Sequence, residues 1–99
     1  MIIFSKVAYP TEQAQEVAKR FLELPQAPDY LTKRGPYFYS TMEEGIVGIA
    51  LYELEKARIA EGKEFVGNYL ATYFGIPGFK YEIKTLLDVE EGLKMIGLG

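Results

Sequence analysis

The order of hydrophobic patterns constrains this chain more than any other feature. Two strand–helix units follow one another, with a hairpin at their join and a short capped helix at the end. Ile2 to Ala8 is dense in Ile, Phe and Val and reads as a strand. Tyr9-Pro10-Thr11 stops it, and Thr11 is placed to cap a helix with Glu12 at its positive end. Ala14, Val17, Ala18, Phe21 and Leu22 then recur at three- and four-residue steps, forming one apolar stripe opposite Gln13, Gln15, Glu16, Lys19, Arg20 and Glu23. Pro25 ends this helix. A connection over Gln26 to Gly35 follows, carrying Asp29, Tyr30, Lys33 and Arg34.

Pro36 to Met42 reads as strand again, with Tyr37, Tyr39 and Thr41 on one side and Phe38, Ser40 and Met42 on the other. Glu43-Glu44-Gly45 is a tight turn, and Ile46 to Glu53 completes a β-hairpin. From Lys56 the period becomes helical, with Ala57, Ala60, Phe65, Tyr69, Leu70, Tyr73 and Phe74 as the expected buried set. Gly62 and Gly67 interrupt it, each costing about 1 kcal/mol relative to Ala. Either the helix breaks near Gly62, or glycine admits a close neighbour. Gly75-Ile76-Pro77-Gly78 ends the helix, and Phe79 to Leu86 is a fourth strand. Asp88 and Glu91 have capping-box spacing before a short helix to Ile96, closed by Gly97.

The resulting β-α-β-β-α-β order, with one further helix, is that of a ferredoxin-like α+β domain over residues 1–99. Right-handed crossovers place both main helices on one face of a four-stranded antiparallel sheet and leave the other face bare. In the third strand, Val47, Ile49 and Leu51 are large and suited to lie under helices; Gly48, Ala50 and Tyr52 then face away. The bare face is thereby expected to mix tyrosines, small residues and a few charges. An exposed apolar face on so small a domain points to a partner, and a second copy of the chain is the economical one.

The topology, the Ile76-Pro77-Gly78-Phe79 turn and the closing Leu87-Asp88-Val89-Glu90-Glu91 segment resemble the dimeric α/β-barrel superfamily. That group includes small cofactor-free monooxygenases, stress-responsive barrel proteins and many members without assigned activity. The resemblance implies a homodimer whose sheets close a barrel. It implies no single reaction, because function varies widely on this fold.

Composition excludes several chemistries. The 99 residues contain no histidine and no cysteine, which removes thiolate and Ser-His-Asp catalysis, zinc–thiolate sites, disulfides and the histidine ligand common to haem members of the superfamily. Carboxylates do not converge at metal-binding spacing, and no glycine-rich phosphate loop is present, so no metal or cofactor is expected. Glu43-Glu44 reads as a turn and Glu90-Glu91 as a helix start. The net charge of −3 gives no basic field for nucleic acid. With no apolar run long enough for a membrane span and no leader-like start, a cytoplasmic location is expected.

Tyrosine is the conspicuous residue type, with eight copies and no tryptophan. Tyr30, Tyr37, Tyr39, Tyr52, Tyr69, Tyr73 and Tyr81 could line a ligand cavity, or pack half-buried at an interface. Lys33 and Arg34 could clamp an anion, or lie solvated in a loop. Lys6, Glu82 and Lys84 could meet across strands, as a surface ion pair or around a lysine whose pKa is lowered. The expected ligand site comprises Tyr37, Tyr39 and Tyr52 with Arg34 at its rim, suited to a flat acid. Three readings stay open: a homodimer binding a small, partly apolar or aromatic ligand, a cofactor-free monooxygenase- or isomerase-like enzyme, and an assembly module without ligand. A closed cavity with an isolated polar residue favours the enzyme, convergent donors favour the binder, and a filled interior favours the module.

Overall fold

A computed structural model describes all residues from Met1 to Gly99. Its strands are β1 (Ile2–Tyr9), β2 (Thr32–Thr41), β3 (Gly45–Glu53) and β4 (Lys80–Leu86), and its helices are α1 (Ala14–Leu22), α2 (Ile59–Ala71) and α3 (Val89–Met95). The sheet is antiparallel in the order β2-β3-β1-β4, which is the ferredoxin-like arrangement expected from the element order. No helix is long and apolar enough to cross a membrane.

The two faces of the sheet are the reverse of the expected assignment. The core joins Ile3, Tyr9, Ala50 and Tyr52 from the sheet to Val17 of α1 and to Val66, Leu70 and Tyr73 of α2 and the turn after it. Gly48, Ala50 and Tyr52 therefore lie under the helices, and Val47, Ile49 and Leu51 lie outside. Register supplies the reason. Tyr52 pairs with Ile3, Ala50 with Ser5 and Gly48 with Val7, so the small side chains meet at the middle of the helix-facing surface. The larger row pairs with Phe4, Lys6 and Ala8 on the outer face.

The connection into β2 is shorter than expected, because Thr32 to Gly35 is already strand. Gly35 and Pro36 are absorbed by a β-bulge between Arg34 and Tyr37. A Cβ on Gly35 would come within 2.8 Å of the Ile49 carbonyl oxygen, and its φ of +95° is one that only glycine adopts readily. The bulge resets the alternation. Lys33 and Phe38 face the helices, whereas Arg34, Tyr37 and Tyr39 face outward.

Both main helices start differently from the expectation. A single 3-10 turn, Thr11–Gln13, precedes α1, and Thr11 makes no cap bond; the Gln13 N–H donates to the Pro10 carbonyl at 3.0 Å. Another 3-10 turn, Lys56–Arg58, precedes α2 and shifts the phase of its buried stripe. Ala57, Ala60 and Phe74 are exposed, and Gly62 and Val66 take inner positions with Tyr69, Leu70 and Tyr73. The helix is unbroken at Gly62. A Cβ there would meet Leu54 Cδ1 at 2.5 Å, so glycine serves a close approach.

The capping box at α3 forms as expected. Glu91 N–H donates to Asp88 Oδ1 at 2.7 Å, and Asp88 N–H donates to Glu91 Oε1 at 3.3 Å. Yet α3 buries none of its residues, and Val89, Met95, Ile96 and Leu98 stand exposed. The chain is correspondingly drawn out. Its radius of gyration is 15.0 Å, against about 13 Å for a compact domain of this length.

Candidate functional site

Between the helix layer and the sheet lies a cavity of about 200 Å³. Its floor is the run of small side chains at the sheet centre, Ser5, Gly48 and Ala50, framed by Val7, Tyr9 and Tyr52. Its roof comes from Val17, Ala18 and Phe21 of α1 and from Tyr69, Leu70 and Tyr73. The exposed members of the lining are Ala18, Phe21 and Phe38, so the mouth opens between α1 and the edge strand β2. Native interiors hold few voids larger than a water molecule. This space is several times the ~30 Å³ that one water occupies in the liquid.

Arg20 holds the roof in place. Its Nε donates to Glu16 Oε1 at 3.0 Å, and its Nη1 donates to the carbonyls of Thr72 and Phe74, both at 3.0 Å. These carbonyls belong to the cap and the turn just past α2, where a guanidinium suits both their unpaired lone pairs and the helix dipole. Arg20, on the polar side of α1, thus ties that helix to the end of α2. Tyr69 donates its hydroxyl to the Pro25 carbonyl and anchors the segment after α1 to the same helix.

Lys33 is the one charged residue in the cavity wall. Its Nζ lies 5.0 Å from the Tyr69 ring centroid, 5.7 Å from Phe21 and 5.9 Å from Tyr52. Three ring faces attract a cation, each by about 0.5–2 kcal/mol. Burial opposes them and holds the ammonium below its ordinary value of 10.5. Lys33 makes no salt bridge, in contrast to Lys6 with Glu44, Lys84 with Glu82, Arg20 with Glu16, Arg34 with Glu53 and Arg58 with Glu61. The phenols around it stay neutral at physiological pH. Burial pushes Tyr9 and Tyr69 up, and Tyr52 and Tyr73 up to about 12.

The four residues expected to form one site do not share a face. Tyr52 lines the cavity. Arg34, Tyr37 and Tyr39 are on the outer face, where Arg34 pairs with Glu53 and the two tyrosines are 62% and 44% exposed. Among the other tyrosines, Tyr69 and Tyr73 reach the cavity; Tyr30 lies beneath the Arg58 guanidinium at 3.9 Å, and Tyr81 packs on Phe74 and Phe79. Lys6, Glu82 and Lys84 do share the outer face. Burial pulls the Lys6 ammonium down, but Glu44, then Tyr39 and Glu82, more than offset this and hold it above its ordinary value. It is not a lysine with a lowered pKa.

Sequence reasoning missed Ser5, Gly48 and Ala50 as the cavity floor. Their small size was visible, but only the pairing register brings them side by side. No group of histidine, cysteine or carboxylate side chains is placed to hold a metal ion. No protein-family model matches the chain, and no curated protein matches it in sequence.

Proposed function

We propose that this protein binds a small, largely apolar molecule in the cavity between its helices and sheet. The observation that carries the reading is the cavity itself. The cavity is open at its mouth, so the cost of a fully enclosed void of 200 Å³, about 5 kcal/mol at ~24 cal/mol per Å³, is an upper bound. That is comparable with the roughly 5–15 kcal/mol of net stability of a typical domain. A 99-residue chain has little reason to keep such a space unless something occupies it. Cavities of about 150 Å³ accept benzene, so this one suits a substituted single ring or a short chain.

The test is ligand-observed NMR with indole and ethylbenzene on the wild type and on Ala50→Val. Two added methyl groups at the floor should abolish binding and raise the stability of the free protein, by at most about 1.6 kcal/mol at ~0.8 kcal/mol per buried carbon. Binding that survives Ala50→Val puts the site elsewhere, and no binding to the wild type removes the reading.

A cofactor-free oxygenase or isomerase is the second reading, favoured by the isolation of Lys33 among apolar walls. Burial holds the Lys33 ammonium below its ordinary value, the direction that favours a lysine acting as a base toward a carbon acid. Turnover lost in Lys33→Met with ligand affinity retained would establish it.

We further propose that the binder is a cytoplasmic homodimer of the dimeric α/β-barrel type, joined through the outer sheet face. That face is divided. Tyr37, Tyr39, Ile49, Leu51 and Phe4 give its β2-β3-β1 side apolar surface around Lys6 and the Arg34–Glu53 pair and over the buried Val47 and Ala8, and Lys80, Glu82 and Lys84 make its β4 side charged. A two-fold related copy can cover the apolar side of each sheet with the same side of the other. The uncovered side chains of α3 add apolar surface for the same partner.

A further inference from the structure

We propose that the cavity's ligand is a small monocarboxylic acid, its anion against the Lys33 ammonium at the mouth and its apolar body over Ser5, Gly48 and Ala50. This rests on the cavity being a binding site and adds the class of ligand.

The lining sets the charge. Lys33 is the only charged group in it, and no carboxylate of the protein lies within 4.0 Å of its Nζ. Five other Lys and Arg side chains in ion pairs have carboxylate partners on the surface, where water would screen them in any case. Of the Lys and Arg side chains without an ion pair, Lys19, Lys56, Lys63, Lys80 and Lys94 are exposed to water, and Lys33 alone is half-buried. A cation held in apolar surroundings is costly, and an anion that arrives with the ligand offsets that cost. One ammonium balances one negative charge. A phosphate dianion would bring a surplus charge into apolar walls, and a cationic ligand would be repelled by Lys33.

The geometry sets the shape. Lys33 sits beside Phe21, one of the exposed residues at the open side, and the floor beyond it is apolar apart from the Ser5 hydroxyl. A ligand must therefore carry its charge at one end and a ring or short chain at the other. Phe21, Tyr52 and Tyr69 surround the ammonium and limit its exposure to water, which strengthens a charge-assisted hydrogen bond to a carboxylate.

Calorimetry with 3-phenylpropanoic acid and 3-phenylpropanamide, on the wild type and on Lys33→Met, tests this. The two ligands share a shape and differ in charge. In the wild type the acid should bind at least about tenfold more tightly than the amide, as one hydrogen bond to a charged group implies. In Lys33→Met the advantage should disappear while the amide keeps its affinity. In the wild type alone, acid affinity should fall as pH rises and Lys33 loses its proton, and amide affinity should stay level. Equal binding of acid and amide by the wild type overturns the acid assignment and leaves the cavity reading standing. Binding of neither overturns both. If Lys33→Met does not fold, the wild-type pH series decides: an acid profile that stays level across the pH range in which the Lys33 ammonium is seen by NMR to lose its proton overturns the proposal.

Discussion

Two glycines of one helix should respond to the same substitution with opposite signs. Gly62 and Gly67 both lie in α2, and each should cost about 1 kcal/mol relative to alanine on intrinsic helix propensity. Their surroundings differ. No atom lies within 4 Å of a Cβ built at Gly67, whereas at Gly62 it would lie 2.5 Å from Leu54 Cδ1, 3.1 Å from Ile3 Cδ1 and 3.5 Å from Leu31 Cδ2. Gly67→Ala should therefore stabilise by about 0.5–1 kcal/mol. Gly62→Ala gains the same propensity but incurs overpacking of about 1–3 kcal/mol. The Leu54 methyl can rotate, but Leu54 is 6% exposed and Ile3 0%, so it moves into occupied core. The balance is a loss of up to about 2 kcal/mol for Gly62→Ala, and a gap of about 1–3 kcal/mol between the variants. For a domain of this size 1 kcal/mol shifts Tm by about 4–8 °C. Thermal unfolding followed by circular dichroism should find the wild-type Tm between the two. A Gly62→Ala protein as stabilised as Gly67→Ala would refute the close approach of α2 to the β1 side of the core.

The two sheet faces are separated by a pair of charge insertions. Ala50→Arg places an unpaired ion in the helix-facing interior, at a cost of several kcal/mol, and should leave an unfolded chain by circular dichroism. Ile49→Arg should fold and sediment as an 11.2 kDa monomer, while the wild type is a dimer at micromolar concentration; a monomeric wild type ends the dimer proposal. Alkaline stability follows from the buried phenols. Tyr52 and Tyr73 are held up to about 12 from an ordinary 10.0, so above pH 10 the unfolded chain releases protons that the folded chain keeps, and stability falls as pH rises. Lys33, held below 10.5, acts in the opposite sense, because there the unfolded chain keeps the proton. Urea midpoints between pH 9 and pH 11.5 should fall for the wild type and fall less steeply for Tyr52→Phe/Tyr73→Phe; equal slopes would count against burial of these phenols.

The sequence by itself determined the element order, and with it the fold. Hydrophobic period, Pro25, the Gly75-Ile76-Pro77-Gly78 stop and the Asp88–Glu91 capping box are local signals, and local signals survive without knowledge of the rest of the chain. The faces of the sheet were not legible in this way. Alternation along β3 divides Val47, Ile49 and Leu51 from Gly48, Ala50 and Tyr52, but it does not say which row meets the helices. Size suggested the larger row, and that choice assumes a filled interior. The register of β3 on β1 decided otherwise. Nor does alternation survive the bulge at Gly35 and Pro36, which looks like a loop in sequence and turns Lys33 inward and Tyr37 outward. Only the tertiary structure brings Ser5, Gly48, Ala50 and Lys33 around one cavity, because a cavity is defined by what several distant segments together fail to fill.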